Sequence, residues 1–199
     1  MRYPTSVTGV ILAGGLARRM HNQDKGLVNF NGQPLVSYAV KAMIPLAAHI
    51  LINANRNHDA YQQFGWPVIA DQTDQFDGPL AGILTAMSAA KTTILLVMPC
   101  DVPLITTAHL HRLLTVQEAK ACDVAVAFDG ERLHPVFLAI KTDLHDSLKA
   151  YLDSGQRRIA AWLAQQNMAI VDFSGDAEVF VNINTLPELV ALESQCRSE

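Results

Sequence analysis

The sequence predicts an α/β fold: a single Rossmann-like domain with a doubly wound, mostly parallel sheet and helices on both of its faces. Two observations predict this class. Strand and helix patterns alternate through the first half of the 199 residues, and the strand candidates are continuously apolar. Strands of that kind are buried on both faces, as they are when helices cover a parallel sheet on either side. A chain of this length fits one domain.

The elements follow from local patterns, taken in chain order. The apolar run at residues 10–12 predicts the first strand, which ends at the glycine pair Gly14-Gly15. Further apolar runs predict strands at residues 49–53, 67–70, 93–98, 123–128, 136–140, 169–173 and 179–181. Apolar residues at helical spacing predict helices at residues 34–48, 59–64, 79–87, 107–114, 143–152, 157–166 and 186–193. Pro45 is expected to end or bend the first helix.

Charge and cysteine content argue against several classes of protein. The net charge of −4 is unlike that of a nucleic-acid binder, whose surface is strongly basic. The three cysteines have no metal-ligand or redox spacing, which is typical of reduced thiols in the cytoplasm. We find no signal-peptide pattern and no apolar run of membrane-spanning length. We therefore expect a cytoplasmic protein that binds neither nucleic acid nor a membrane.

The loop after the first strand has the composition of a phosphate-binding loop. The glycine pair lets backbone N–H groups approach a ligand, and Arg18, Arg19 and Lys25 follow within reach of the same loop. The spacing fits neither the Walker A motif nor the dinucleotide fingerprint. An ordinary glycine turn with solvated arginines is the alternative, and the three spaced cations favour phosphate binding over it.

Polar residues follow three other predicted strands. Asn53, Asp71 and Asp101 each come directly after an apolar run. Ligands of parallel α/β sheets bind at the carboxyl ends of the strands, so we expect these side chains and the glycine loop to meet at one edge. A buried carboxylate at Asp101 would be costly unless it held a Mg²⁺ ion that bridges nucleotide phosphates. The alternatives are a helix cap at Asp101 and simple turn formers at Asn53 and Asp71.

Several further segments have two interpretations each. The glycines Gly78 and Gly82 either admit a base against the backbone or allow close packing of a helix on the sheet. Arg157, beside Arg158, either lies on a solvated helix face, as paired arginines usually do, or contacts an anionic substrate. The segment at residues 182–185 is consistent with hydrogen bonding at a strand end and a helix cap at Thr185. His134, before a proline, is predicted to be structural.

The glycine loop resembles the nucleotide loop of the molybdenum cofactor guanylyltransferases, small members of the nucleotidyltransferase superfamily. The resemblance is carried by Leu12-Ala13-Gly14-Gly15, by Arg19-Met20 and by Asp24-Lys25-Gly26. It extends along nearly the whole chain, through residues 77–82, 99–103, 129–135, 155–158 and 182–185. His21 stands where family members often have glycine, and Leu186 intervenes before a proline that usually follows the threonine directly.

The resemblance implies transfer of GMP from GTP to molybdenum-bound molybdopterin, with release of pyrophosphate. Residues 1–105 or thereabouts would bind GTP and residues 106–199 the pterin. Lys25, Asp101 and Arg19 would be catalytic, and Asp101 would hold Mg²⁺. The substrate-binding residues that it implies are Leu12, Ala13, Gly14, Gly15, Lys25, Asn53, Asp71, Gly78, Gly82, Asp101, Arg157, Asn182 and Asn184. Other cofactor-biosynthesis proteins and molybdoenzyme chaperones are further partners that it implies.

Two other functions remain open at this point. A cytidylyltransferase for the same pterin, or another small nucleotidyltransferase, would share most of the motifs, but cytidine-using relatives typically carry alanine at the position of Gly14. A protein that chaperones the pterin cofactor without turnover would share the binding residues. The intact Lys25 and Asp101 speak against this second alternative.

Overall fold

The computed structural model describes residues 7–14, 24–72 and 78–196. The strands in these ranges are β1 (Val7–Leu12), β2 (Asn29–Phe30), β3 (Gln33–Pro34), β4 (His49–Asn53), β5 (Val68–Ile69), β6 (Ile94–Pro99), β7 (Val124–Phe128), β8 (Leu133–Lys141) and β9 (Met168–Asp172). The α-helices are α1 (Leu35–Met43), α2 (His58–Gln62), α3 (Pro79–Ala89), α4 (Thr107–Ala119), α5 (His145–Asp153), α6 (Ile159–Leu163) and α7 (Leu186–Cys196). Short 3₁₀ turns cover Lys25–Leu27, Thr142–Leu144 and Ala177–Phe180.

Seven strands form one sheet in the order β5-β4-β1-β6-β8-β7-β9, and β2 and β3 form a separate antiparallel hairpin. Strand β1 pairs in parallel with β4 and β6, β4 pairs in parallel with β5, and β7 pairs in parallel with β9. Strand β8 runs antiparallel to both of its neighbours. The predicted mostly parallel α/β sheet is therefore confirmed.

The central strands of the sheet are buried on both faces, which explains why they are almost continuously apolar. Successive residues of one strand enter different cores: Ile11 belongs to the core under α1 and α4, and Val10 to the core under α3, α5 and α6. Leu96 and Leu95 of β6 divide in the same way. Burial on both faces favours an apolar side chain at nearly every position, because there is no solvent face for a polar one. The buried Thr8 of β1 is accommodated by a hydrogen bond with Thr92 at 2.7 Å.

The sheet continues across the predicted boundary near residue 105, since β6 from the first part of the chain pairs with β8 from the second. In the described part of the chain, none of the helices has the length and apolar character needed to cross a membrane.

The strand predicted at residues 179–181 is wrong. Residues Ala177–Phe180 form a 3₁₀ turn, in which Val179 and Phe180 are buried. The Phe180 ring packs edge-on against Phe137 and Phe173. The apolar run therefore fills a core instead of pairing with a strand, and three apolar residues alone do not distinguish these outcomes.

Candidate active site

The carboxyl ends of β1, β4, β5 and β6 surround a cavity of about 330 Å³, called here the first cavity. Parallel neighbours place these ends side by side, as the sequence predicted. The predicted site residues that line the first cavity are Leu12, Ala13, Gly14, Lys25, Asn53, Asp71, Gly78, Asp101 and Asn182. Backbone hydrogen bonds fix the edge: the Ala13 N–H donates to Asn53 O at 2.8 Å, and the Cys100 N–H donates to Leu12 O at 3.1 Å.

Lys25 joins residues from distant parts of the chain. Its Nζ donates to Asp101 Oδ2 at 3.0 Å and to Asn184 Oδ1 at 2.5 Å. The Asp101 carbonyl oxygen also accepts a hydrogen bond from the N–H of Ile183 at 3.0 Å. The segment around Asn184 is therefore held against the end of β6, where a cation, a carboxylate and an amide lie together.

The Asp101 carboxylate is buried, with 6% of the residue exposed. Its Oδ2 accepts from Lys25, but among the described residues its buried Oδ1 has no hydrogen-bond partner. A buried acceptor without a partner is costly and indicates that something else satisfies it. A divalent cation is one such group.

Asn53 and Asp71 belong to one hydrogen-bond network with Asn55. The Asn53 amide donates to Asp71 Oδ1 and the Asn55 amide to Asp71 Oδ2, both at 2.8 Å. The Asp71 N–H returns a bond to Asn55 Oδ1 at 2.8 Å. Hydrogen bonds from the two amides therefore fix both carboxylate oxygens of Asp71 at the rim of the first cavity.

The two glycines of the residue 77–82 motif do different things. Gly78 lines the first cavity with φ of +70°, a backbone conformation that favours glycine, and Pro79 then begins α3. Gly82 faces the sheet, where a Cβ atom would overlap Asn53 Oδ1 and lie 3.0 Å from Leu12 Cδ2. This contact supports the close-packing interpretation of Gly82.

A second cavity of about 550 Å³ adjoins the first and shares Val136 and Asn182 with it. Asn184 and His134 also line the second cavity. The His134 ring stacks on Phe180, with centroids 4.1 Å apart and planes inclined by 13°. His134 is thereby packed in place, as the sequence predicted.

Asp129 holds the other side of the His134 ring, with Oδ2 2.6 Å from Nε2. The Asp129 pKa lies well below its usual value because the carboxylate accepts hydrogen bonds from the N–H of Arg132, from His134 and from the N–H of Glu131. The turn between β7 and β8 is therefore an ordered wall of the second cavity.

Comparison with known proteins identifies the family. The sequence matches the MobA-like NTP transferase domain over residues 9–169. A molybdenum cofactor guanylyltransferase from Shewanella sediminis is 48% identical over 179 residues, which are 90% of this chain and 91% of that protein. One from Shewanella putrefaciens is 46% identical over 185 residues, which are 93% of this chain and 95% of the relative. The chain belongs to the molybdenum cofactor guanylyltransferase family.

A solved structure shows the same fold. Molybdopterin-guanine dinucleotide biosynthesis protein A from Archaeoglobus fulgidus superimposes with a TM-score of 0.80 at 22% identity, covering 96% of this chain and 100% of that chain. The prediction that the chain is a nucleotidyltransferase of the guanylyltransferase family is confirmed.

Four predicted site residues of the guanylyltransferase are not placed in either cavity, and one of them is Gly82, which packs against Asn53 and Leu12. Gly15 and Arg19 lie outside the described residues. Arg157 is described, and its Nη1 donates to the carbonyl oxygens of Leu152 and Gln156, both at 2.7 Å. Arg157 therefore caps the end of α5, and its contact with a substrate stays a prediction.

Asn55 was not predicted as a site residue, although it lines the first cavity. A signal was present in the sequence, because Asn55 and Asn53 are two positions apart and such residues of an extended chain point to the same side.

The helix cap predicted at Thr185 is confirmed: Glu188 N–H donates to Thr185 Oγ1 at 3.3 Å, and the Asn184 and Thr185 N–H groups donate to Glu188 Oε2. This cap fixes Asn184 beside Lys25.

Nucleotidyltransferases generally use a divalent metal. The described residues contain no cluster of three or more histidine, cysteine, aspartate or glutamate side chains that would hold one by themselves. A single carboxylate such as Asp101 nevertheless fits a metal that takes its other ligands from substrate phosphates and water. The unpartnered Asp101 Oδ1 is the atom that fits this role.

Proposed function

We propose that this guanylyltransferase binds GTP in the first cavity and the phosphate end of molybdopterin in the second. In this proposal the chain transfers GMP from GTP to molybdenum-bound molybdopterin and releases pyrophosphate. The observation that carries the proposal is that Lys25 and Asp101, joined by a hydrogen bond, both line the first cavity, which shares Val136 and Asn182 with the second. Asn184, which lines the second cavity, accepts a hydrogen bond from the same lysine.

The nucleotide half of the site is built from backbone and amide groups. The chain at residues 12–14 runs past the end of β1 and lines the first cavity. The Ala13 N–H is already bonded to Asn53 O, so we propose the Gly14 N–H for phosphate binding. Asn53 and Asp71 are the polar groups proposed for the base or ribose, and their mutual hydrogen bond supports a pre-oriented site. Pre-orientation reduces the entropy that binding must overcome.

Mg²⁺ is the metal we propose for Asp101. It would bind Asp101 Oδ1 together with phosphate oxygens and would neutralise part of the phosphate charge. Lys25 then contributes a positive charge beside the phosphates. We propose that Arg19 adds a second one and that the Gly14 and Gly15 N–H groups donate hydrogen bonds to them. Fixed positive groups of this kind stabilise the charge that develops on departing pyrophosphate.

The chemical step is a single displacement at phosphorus. A terminal phosphate oxygen of molybdopterin attacks the α-phosphorus of GTP, the new P–O bond forms, and the bond to the β-phosphate oxygen breaks. The electron pair of that bond leaves with pyrophosphate. The protein needs no covalent intermediate, and its task is to hold the attacking phosphate in line. Asn182, Asn184 and Arg157 are proposed for this task.

The proposal extends to location and partners. We place the enzyme in the cytoplasm, as expected for free thiols at Cys100, Cys122 and Cys196. Other cofactor-biosynthesis proteins and molybdoenzyme chaperones are proposed as further partners.

The test compares GTP, CTP and ATP, each with Mg²⁺ and molybdenum-bound molybdopterin, by pyrophosphate release and by calorimetric binding. We expect GTP to bind and be consumed in preference. Equal or better use of CTP would instead support a cytidylyltransferase. Binding of GTP without pyrophosphate release, at saturating pterin and Mg²⁺, would support a chaperone of the pterin cofactor.

A further inference from the structure

We infer that Asp24 and Tyr61 are positioning residues: they fix the backbone of Lys25 so that its ammonium group reaches Asp101 and the nucleotide phosphates. The inference deepens the proposed function, because it assigns a role to groups that touch neither substrate nor metal. It rests on the proposed role of Lys25, and one of its two tests is independent of GTP turnover.

Asp24 directly precedes the catalytic candidate Lys25, and its carboxylate is buried, with 6% of the residue exposed. Its Oδ1 accepts a hydrogen bond from the Tyr61 hydroxyl at 2.5 Å, and its Oδ2 accepts one from the Asn57 amide at 3.2 Å. Tyr61 lies in α2 and Asn57 immediately precedes that helix. Asp24 is therefore tied to α2 through both of its oxygens.

Gly26 secures the other side of Lys25. A Cβ atom at Gly26 would lie 2.5 Å from Tyr61 Oη and 3.1 Å from Tyr61 Cε1, so the absence of a side chain lets the turn lie directly on the tyrosine ring. Tyr61 is fully buried. Burial first, and then the Cys100 thiol and the hydrogen bond to Asp24, raise the Tyr61 pKa far above its usual value, so the hydroxyl remains a donor.

The turn around Lys25 needs such support. The 3₁₀ turn has three residues, and the backbone bonds that close it are Leu27 N–H to Asp24 O at 3.0 Å and Val28 N–H to Lys25 O at 3.1 Å. A turn of this length does not hold a lysine in place by itself, and lysine has a long side chain with high rotamer entropy. Asp24 is hydrogen-bonded to α2 and Gly26 packs against Tyr61 of the same helix. The backbone of Lys25 is thereby fixed, and less conformational entropy is lost when its side chain reaches Asp101.

A merely structural role for Asp24 would also lower activity, so the experiment must separate the two roles. If Asp24 acts through Lys25, its removal should matter only while Lys25 is present. If Asp24 only stabilises the fold, its removal should lower turnover by the same factor whether or not Lys25 is present. A double-mutant cycle distinguishes these cases.

The first test measures single-turnover GMP transfer and GTP binding for Asp24→Asn and Tyr61→Phe, each in the wild-type chain and in Lys25→Ala. We expect Asp24→Asn to lower transfer by about tenfold or more in the wild-type chain and by less than about twofold in Lys25→Ala. Tyr61→Phe keeps the ring and removes one bond, so we expect a smaller loss with the same dependence on Lys25. Equal factors in both backgrounds would overturn the inference.

Asp123→Asn is the matched control, because it removes a carboxylate that is paired with Lys141 at 2.7 Å. Asp123 is not one of the described residues that line the first or the second cavity. Its effect should be small and the same in both backgrounds. Thermal unfolding of every variant shows whether the chain is folded. Should Asp24→Asn not fold, Tyr61→Phe carries the same comparison.

The second test uses the free protein and needs no GTP turnover. A limiting amount of an acylating reagent is added, and the modification of Lys25 and Lys141 is compared by mass spectrometry. We expect Asp24→Asn and Tyr61→Phe to raise the rate at Lys25 relative to Lys141, since a released turn exposes the ammonium group. An unchanged ratio would overturn the inference even if the enzyme transfers GMP. A raised ratio in a chain that does not consume GTP would overturn the proposed function instead.

Discussion

The Lys25 ammonium group lies 3.0 Å from Asp101 Oδ2, while the other oxygen of the same carboxylate is buried without a partner among the described residues. The two residues are 76 positions apart in the chain. The lysine occupies one side of the carboxylate and leaves Oδ1 for a cation. A divalent cation at Oδ1 and the ammonium group at Oδ2 would place two positive charges beside the phosphates at the same point.

Asp101→Asn keeps the shape of the side chain and removes its charge. We expect weaker Mg²⁺ binding and a loss of about 3 kcal/mol in transition-state stabilisation, or roughly a hundredfold in turnover. The measurement is pyrophosphate release as a function of Mg²⁺ concentration, with Asp123→Asn as the control for loss of a carboxylate. Near-normal turnover of Asp101→Asn at limiting Mg²⁺ would mean that Asp101 is only a structural cap.

Gly82→Ala should weaken GTP binding through Asn53. The added methyl group would overlap Asn53 Oδ1 and press on Leu12, so Asn53 must move away from Asp71. Overpacking of this kind costs about 1–3 kcal/mol. Calorimetry should show reduced GTP affinity together with a lower melting temperature. Unchanged GTP affinity would mean that the position of Asn53 is not important for the nucleotide.

Much of the site could be predicted because its residues sit at the ends of apolar strands. Parallel pairing brings such ends together, and so the meeting of Gly14, Asn53, Asp71 and Asp101 followed from the fold class. Asn55 was missed because its role depends on register: only when β4 and β5 are paired, with Asn53 opposite Ile69, does Asn55 face Asp71. Local pattern does not specify which residues of two strands face each other.

The direction of β8 was likewise not predicted. Its apolar side chains fit either orientation, because both faces of the sheet are buried. The connection from β7 to β8 spans residues 129–132, which is too short for a parallel crossover. Loop length therefore contained the information that hydrophobic pattern lacked.

Gly14→Ala should change the choice of base without harming the fold. A Cβ at Gly14 would lie 3.4 Å from Asn55 Nδ2 and 3.7 Å from Asn53 Oδ1, which are ordinary contacts in the free protein. We expect an unchanged melting temperature and a fall of about tenfold in the preference for GTP over CTP, since the methyl group narrows the space for a purine. Competition between GTP and CTP measures this preference. An unchanged ratio would show that Gly14 does not determine the base.

Arg157→Ala tests whether the guanidinium group serves only the end of α5. Its bonds to the carbonyl oxygens of Leu152 and Gln156 account for a stability loss of about 1 kcal/mol. Beyond that loss, we expect transfer to molybdopterin to fall sharply, because lysine and alanine cannot reproduce paired donors to a phosphate or a pterin carbonyl. Arg157→Lys should therefore fail in transfer as well. Normal transfer in both variants, with only the melting temperature lowered, would make Arg157 a helix cap alone.

Asn182→Ala and Asn184→Ala test the division of substrates between the cavities. Both residues line the second cavity, Asn182 also lines the first cavity at the boundary between them, and Asn184 accepts a hydrogen bond from Lys25. We expect GTP affinity within about fivefold of wild type, since one lost hydrogen bond to Lys25 is worth about 1 kcal/mol or less while Asp101 still holds the ammonium group. GMP transfer should fall by about tenfold or more, because the attacking phosphate is no longer held in line. GTP titration and a cofactor-forming assay on the same variants measure the two effects. Collapse of GTP binding would assign both asparagines to the nucleotide, and survival of both activities would leave them as the ordinary strand-end and cap residues that the sequence also allowed.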